Sequence, residues 1–234
     1  ALKALAKWDT IFADEAISAG AEKKDTVIVV GGGGREHALA VQLAKSPQVG
    51  KILCCPGNGG TAQEGGGKIQ NHDGPTDNSS MIALCKRVGA AMVVIGPEAP
   101  LVDGLVDQLA EDCPDVLAFG PTQAAAQLEA SKAFSKDFLN EYGIPTASYQ
   151  SFTDADKAIE YVKSLDIDTT KNRQVVKASG LAAGKGVLLP TSEAETIAAV
   201  NEIMTDKAFG AAGDTCVIES FLTGPEASCP AFCD

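Results

Sequence analysis

The sequence predicts an α/β protein: a doubly wound parallel sheet on the N-terminal side, followed by a smaller α+β unit. Three observations lead there. Short β-branched runs alternate with stretches of helical period as far as residue 119. Each of those runs ends in a loop bearing Gly or Pro, and after Pro121 two strands are instead joined by one tight glycine turn. Strands alternating with helices form a parallel sheet whose ligand edge lies at the carboxyl ends of the strands.

The elements follow in order. Residues 26–30 (TVIVV) are a strand, broken by Gly31, Gly32, Gly33 and Gly34, and 35–45 are helical. Residues 51–55 form a second strand ended by Pro56-Gly-Asn-Gly-Gly60, while 63–78, rich in Gly, Asn and Asp, read as a surface loop. A helix at 79–88, a strand at 91–95, a helix at 101–109 and a strand at 116–119 complete the first unit. One long helix is then expected over 122–142, with a strand at 146–152 and a helix at 154–165. Strands at 174–178, 186–189 and 215–219 and a helix at 192–204 follow, the turn 180–186 joining the first two strands. With the boundary near Pro121, residues 1–25 are a leader or extension, 26–121 a first domain and 122–234 a second.

The formal net charge of −12 argues against broad nucleic-acid or anionic-membrane surfaces. It leaves room for a small phosphorylated ligand held by local glycines and lysines. The seven cysteines show no CxxC spacing and several sit in apolar runs, which points to reduced, buried thiols. With two histidines, His37 and His72, a zinc site has few ligands. His37 at a helix start is read as binding no metal, His72 as solvated, and Trp8 with Phe12 as pinning a leader helix. No apolar run approaches the ~20 residues of a membrane span.

Two glycine runs carry the chemistry. After the first strand, Glu36 or His37 stands where a dinucleotide fingerprint needs its third small residue, and Cys54-Cys55-Pro56 stands where it needs a ribose acid. A nicotinamide or flavin site is thereby disfavoured, and a helix N-terminus suited to one phosphate remains. In KASGLAAGKG at 177–186, Gly180 and Gly184-Lys185 are separated by three residues, and Gly186 replaces the hydroxyl residue of a P-loop. Lys177 instead lies on a strand beside a hairpin able to close over phosphates. Strand alternation places it with Val175, opposite Val176 and Ala178, so it needs an anionic partner: an acid of the chain or a phosphate.

Six blocks in order, GGGGREHA at 31–38, PGNGGT at 56–61, GPEAPL at 96–101, FGPT at 119–122, AQLEASK at 126–132 and KASGLAAGKG at 177–186, resemble the glycinamide ribonucleotide synthetases over about 27–228. The resemblance implies a pre-ATP-grasp domain followed by a truncated ATP-grasp domain, with a lid subdomain at about 146–222. It implies ATP-dependent ligation of glycine to 5-phosphoribosylamine through glycyl phosphate, in purine synthesis. Gly33, Gly34, Asn58, Gly59 and Glu98 would line the phosphoribosylamine site. Lys132 and Lys177 would meet ATP phosphates, and Gly184, Lys185 and Gly186 would form the lid turn. Glu219, Ser220 and Leu222 would meet the adenine edge and Glu226 the ribose.

The cofactors implied are ATP and Mg2+, the metal ligands and glycine-binding residues being expected past Asp234, so that these residues alone hold no catalytic or metal group and are expected to be inactive. Ser220 replaces a second hinge Glu, Pro230 is unusual for a core strand, and 63–78 is looser than the family pattern. Fusion to other purine enzymes is open. So is the compartment: cytoplasm, or a plastid or mitochondrion if 1–25 is a processed transit remnant. The competing readings are a non-catalytic nucleotide-binding fragment and an ATP-grasp ligase with another acceptor.

Overall fold

The computed structural model describes residues 25–64, 67–167, 171–182, 184–229 and 231. The leader, the Trp8–Phe12 pair, Gly65, Gly66 and Pro230 lie outside them. The chain divides into two compact units, residues 1–123 and 124–234, while the sequence reading puts the boundary near Pro121.

The first unit is a five-stranded parallel sheet of β1 (Asp25–Gly31), β2 (Val49–Pro56), β3 (Ile69–Asn71), β4 (Ala90–Ile95) and β5 (Leu117–Phe119), in the order β3-β2-β1-β4-β5. Period-two alternation sends Ile28 and Val30 of β1 to one face and Val27 and Val29 to the other. Both faces are covered, which is why the strands read as continuous apolar runs. Helix α1 (Gly34–Leu43) packs on the Val27 side through Ala40. On the Ile28 side lie α3 (Asn78–Val88), through Met81, Leu84 and Cys85, and α5 (Leu105–Asp112), through Leu105 and Leu109. The short α2 (Gly59–Gln63) and α4 (Glu98–Val102) sit on the loops after β2 and β4.

Three features of this unit correct the sequence reading. The helix expected over 101–109 is two helices, because Gly104 takes φ 79° and restarts the chain as the N-cap of α5. The loop expected over 63–78 contains β3, whose Ile69 pairs Ile52 and packs against the core. His72 is half-buried rather than solvated, its Nε2 lying 3.2 Å from Arg87 Nη2.

The second unit is an antiparallel sheet of β6 (Tyr149–Phe152), β7 (Gln174–Ala178), β8 (Val187–Leu188) and β9 (Cys216–Ser220), in the order β6-β9-β7-β8. On one face α8 (Ala155–Ser164) and α9 (Glu193–Met204) bury Ala158, Val162, Val200 and Ile203 against Val176, Ala178, Cys216 and Ile218. The helix expected over 122–142 is broken into α6 (Gln123–Ala130) and α7 (Lys132–Glu141). Ser131 between them is extended at φ −132°, and its hydroxyl accepts from Phe134 N as an N-cap. Lys132 N leaves the helical pattern altogether and donates to Ser179 O at 2.8 Å. A tertiary hydrogen bond, together with a good capping residue, has overridden helical periodicity here.

Candidate functional site

In the first unit the loops after β1, β2 and β4 meet at the carboxyl edge, where the strand order switches on either side of β1. Glu36, on the first turn of α1, is 5% exposed and lies under the glycine-bearing ends of β1 and β4. Gly33 N donates to its Oε2 at 2.8 Å, and Arg35 Nε to its Oε1 at 2.9 Å. A Cβ built on Gly31, Gly33 or Gly96 would fall 2.6, 2.7 or 2.2 Å from this side chain. These glycines are therefore needed for the space that Glu36 fills. Burial pushes the Glu36 carboxyl up, but hydrogen bonds from Arg35 and Gly33 outweigh it and hold the group below its usual range. Arg35 also reaches Glu98 Oε1 at 3.3 Å, and the hydrogen bond to Glu36 holds its guanidinium charged.

Asn58, N-cap of α2, locks the β2 loop onto the β1 loop. Its Oδ1 accepts from Gly60 N at 2.7 Å and Thr61 N at 3.0 Å, while Nδ2 donates to Gly32 O at 3.0 Å and Gly33 O at 3.4 Å. Asn71 of β3 donates to Asn58 O at 2.8 Å, and the Thr61 hydroxyl donates to Asn71 Oδ1 at 2.6 Å. His37 Nε2 approaches Glu64 Oε1 at 2.6 Å. The structure thus gathers Gly33, Asn58 and Glu98 along one bonded chain, with Gly34 and Gly59 exposed beside it. Sequence reading missed Arg35, Glu36, Thr61 and Asn71, although Arg35 and Glu36 stood inside a quoted block.

In the second unit the lysines meet around Glu219, which is 6% exposed. Register explains the meeting: Val175 faces Glu219 and Lys177 faces Val217, so Lys177 and Glu219 are diagonal neighbours on the sheet face opposite the Val176 core. Lys177 Nζ pairs with Glu219 Oε1, and Lys136 Nζ lies 2.5 Å from Oε2. Each carboxylate oxygen of Glu219 is thereby met by one ammonium group. Burial alone would raise the Glu219 carboxyl; Lys136 and Lys177 reverse that and hold it below its usual range. Lys132, at the start of α7, donates to Gly180 O at 3.2 Å. Burial, then the neighbouring Lys177 charge, pushes its ammonium below the usual lysine range, with Glu129 partly opposing.

Ser179, 4% exposed, joins these parts. Its Oγ accepts from Ala133 N at 3.0 Å and meets Ser131 Oγ at 3.1 Å, and its N–H donates to Thr215 O. The glycine turn then leaves the sheet. Gly186 is buried against Ala178 and Ala182, where a Cβ would not fit, while Gly184, at φ 76°, and Lys185 are exposed at the tip. Ser220 N is used in the sheet by Ser148 O, and Phe221 N by Arg173 O. Leu222 is 71% exposed and Glu226 is exposed on a segment without regular structure. Among the described residues the Lys185 and Glu226 side chains do not join the cluster. Lys136, Ser131 and Ser179 were missed; Lys136 stands one helical turn after Lys132, the spacing that shares a face.

A depression of about 580 Å3 between β6 and α8, lined by Ser151, Lys157 and Tyr161 among others, shares no residue with either cluster. Among the described residues no three His, Cys, Asp or Glu side chains group as a metal site, and no helix is long and apolar enough to cross a membrane.

A doubly wound sheet unit followed by an antiparallel sheet, with a glycine turn beside a buried lysine–acid cluster, is the architecture of ATP-grasp proteins. D-alanyl-alanine synthetase A of Vibrio cholerae shares the fold at 19% identity, TM-score 0.59, over 87% of this chain and 61% of that one. The phosphoribosylamine–glycine ligase structure from Thermotoga maritima matches with TM-score 0.65 and 29% identity over 86% of this chain and 44% of its own.

Two family models match in succession: phosphoribosylglycinamide synthetase, N domain, over residues 25–129, and its ATP-grasp (A) domain over 130–234. The chain belongs to the phosphoribosylglycinamide synthetase family. It is 48% identical over 209 residues to the phosphoribosylamine–glycine ligase of Allochromatium vinosum, covering 89% of this chain and 47% of that one. It is 49% identical over 211 residues to the trifunctional purine biosynthetic protein adenosine-3 of Gallus gallus, covering 90% and 20%. The chain thus spans about half the length of the ligase relatives it matches and about a fifth of the trifunctional ones.

Proposed function

We propose that these residues serve the ATP-dependent ligation of glycine to 5-phosphoribosylamine, giving glycinamide ribonucleotide, ADP and phosphate. The observation that carries the ATP half of this reading is a surplus of buried positive charge. Lys136 and Lys177 share one buried carboxylate, and the half-buried Lys132 lies near enough to Lys177 for the two charges to repel, in a chain of net charge −12. Buried charges seek partners, and a triphosphate supplies them. In this reading Glu219, Ser220 and Leu222 meet the adenine edge, Glu226 the ribose, and the Gly184–Lys185 tip folds over the phosphates.

Gly33, Gly34, Asn58, Gly59 and Glu98 bind the second substrate in this reading. Asn58 shapes that site through the loops it ties, since both ends of its amide are engaged within the chain. Glycine's carboxylate attacks the γ-phosphorus and ADP leaves. The amine of phosphoribosylamine then attacks the glycyl carbonyl and phosphate departs. The residues here contribute positioning and charge neutralisation. The described residues offer no ligand set for Mg2+, and no step is assigned to it. Phosphate release that requires both glycine and phosphoribosylamine, measured on the full-length protein, is the expected result; release with ATP alone, indifferent to both, would overturn the reading.

A further inference from the structure

Lys136 is the most tightly held ammonium of the cluster. Its side chain is 12% exposed, against 24% for Lys177. It donates to Thr146 Oγ1 at 2.7 Å and Ala147 O at 3.3 Å, pairs with Glu219 Oε2, and lies 5.6 Å from the Tyr149 ring centre. Tyr149 is itself fixed, donating to Asp137 Oδ1 at 2.6 Å. Lys177 has Glu219 as its one ion-pair partner among the described residues. The two carboxylate oxygens therefore serve two unlike lysines, one anchored on three sides and one held by a single exchangeable contact.

We propose that Lys136 is a positioning residue that frees Lys177 for an incoming polyphosphate by keeping Glu219 paired when Lys177 leaves it. The proposal rests on the reading of Lys132 and Lys177 as a phosphate site. Without Lys136, transfer of Lys177 to a phosphate would strand a buried carboxylate, which is costly. Lys177 would then stay on Glu219, and phosphate affinity would fall although no phosphate contact had been removed. Lys136 thus acts through Glu219, and removal of the carboxylate charge should erase its effect.

The test is isothermal titration of the whole chain with ATP and with tripolyphosphate, which has no base for Glu219 to meet. Lys136→Met should weaken tripolyphosphate binding about tenfold, a coupling typical of residues in one charge network. Lys136→Arg should stay within about twofold of the parent, on the same ground of retained charge. In a Glu219→Gln background, Lys136→Met should make no further difference. Where Lys136→Met fails to fold, Lys136→Gln, still able to donate to Thr146 and Ala147, replaces it in the comparison.

Carbon-13 NMR of the Glu219 carboxyl gives a second readout: its titration midpoint should rise on loss of Lys136, and an unmoved midpoint would show that Lys136 does not hold Glu219 and would overturn the proposal. Unchanged tripolyphosphate affinity in Lys136→Met, or an equal loss in the Glu219→Gln background, overturns the proposal while leaving the ATP reading intact. A parent chain that binds neither ATP nor tripolyphosphate overturns both.

Discussion

At the scale of single residues, Glu219 is the acid that Lys136 and Lys177 share, and its ionisation links stability to pH. Its folded pKa lies below its unfolded value, so its contribution is complete above the unfolded carboxylate range and is lost as pH falls through the folded pKa. Acid urea titrations should show this limb, and Glu219→Gln should flatten it; an unchanged acid limb would remove Glu219 from that role. Lys177→Met leaves Glu219 paired with Lys136, so the loss of stability should stay well below the about 3–5 kcal/mol of a buried charge stripped of its partner, while the Michaelis constant for ATP of the full-length protein rises and turnover falls. Unaltered ATP kinetics with a clear loss of stability would make Lys177 a structural ion pair only. The need of Lys177 for an anion was legible from its strand. That the anion is Glu219 was not, because the pairing depends on register between β7 and β9, forty residues apart in sequence.

At the scale of elements, the loops are held by side chains that each serve two segments. Asn58→Ala removes the cap of α2 and both donors to the β1 loop. It should cost about 1–2 kcal/mol in urea denaturation. Asn58→Asp retains the cap acceptor but faces carbonyl oxygens with a carboxylate, so it should recover little of that loss. Equal stability of Asn58→Asp and the parent would show that the loop contact contributes nothing. The parallel strands were readable because both faces are buried, which leaves long apolar runs. Strand β3 was hidden by its three-residue length amid Gly and Asn. The breaks at Gly104 and Ser131 were hidden inside apolar spacing that continues across them, and only the tertiary bond from Lys132 to Ser179 decides the second.

At the scale of the whole molecule, each unit carries its own core, and thiols are distributed through both. Cys54, Cys55, Cys85, Cys113 and Cys216 are buried and free, and burial pushes Cys55 and Cys216 up to about 12 and Cys85 to about 11. Cys229 is exposed, a departure from the expectation of buried thiols throughout. At pH 8 a disulfide reagent should label Cys229 quickly and these five only on unfolding. Rapid labelling of Cys55 or Cys216 in native protein, read by peptide mass, would contradict the packing.

The carboxylate beneath the glycine-bearing ends of β1 and β4 also constrains the order in which this sequence can change. Gly96 is held to glycine by the stem of Glu36, so an alanine there is a collision in the present background and fits once that side chain is cut back. Gly96→Ala alone should therefore cost about 1–3 kcal/mol in unfolding free energy, as overpacking does, and nearly nothing further in a Glu36→Ala protein. Substitutions here are contingent on one another: Glu36 acts as a historical lock on Gly96, far along the chain, and a lineage that lost it would be free to lose that glycine next.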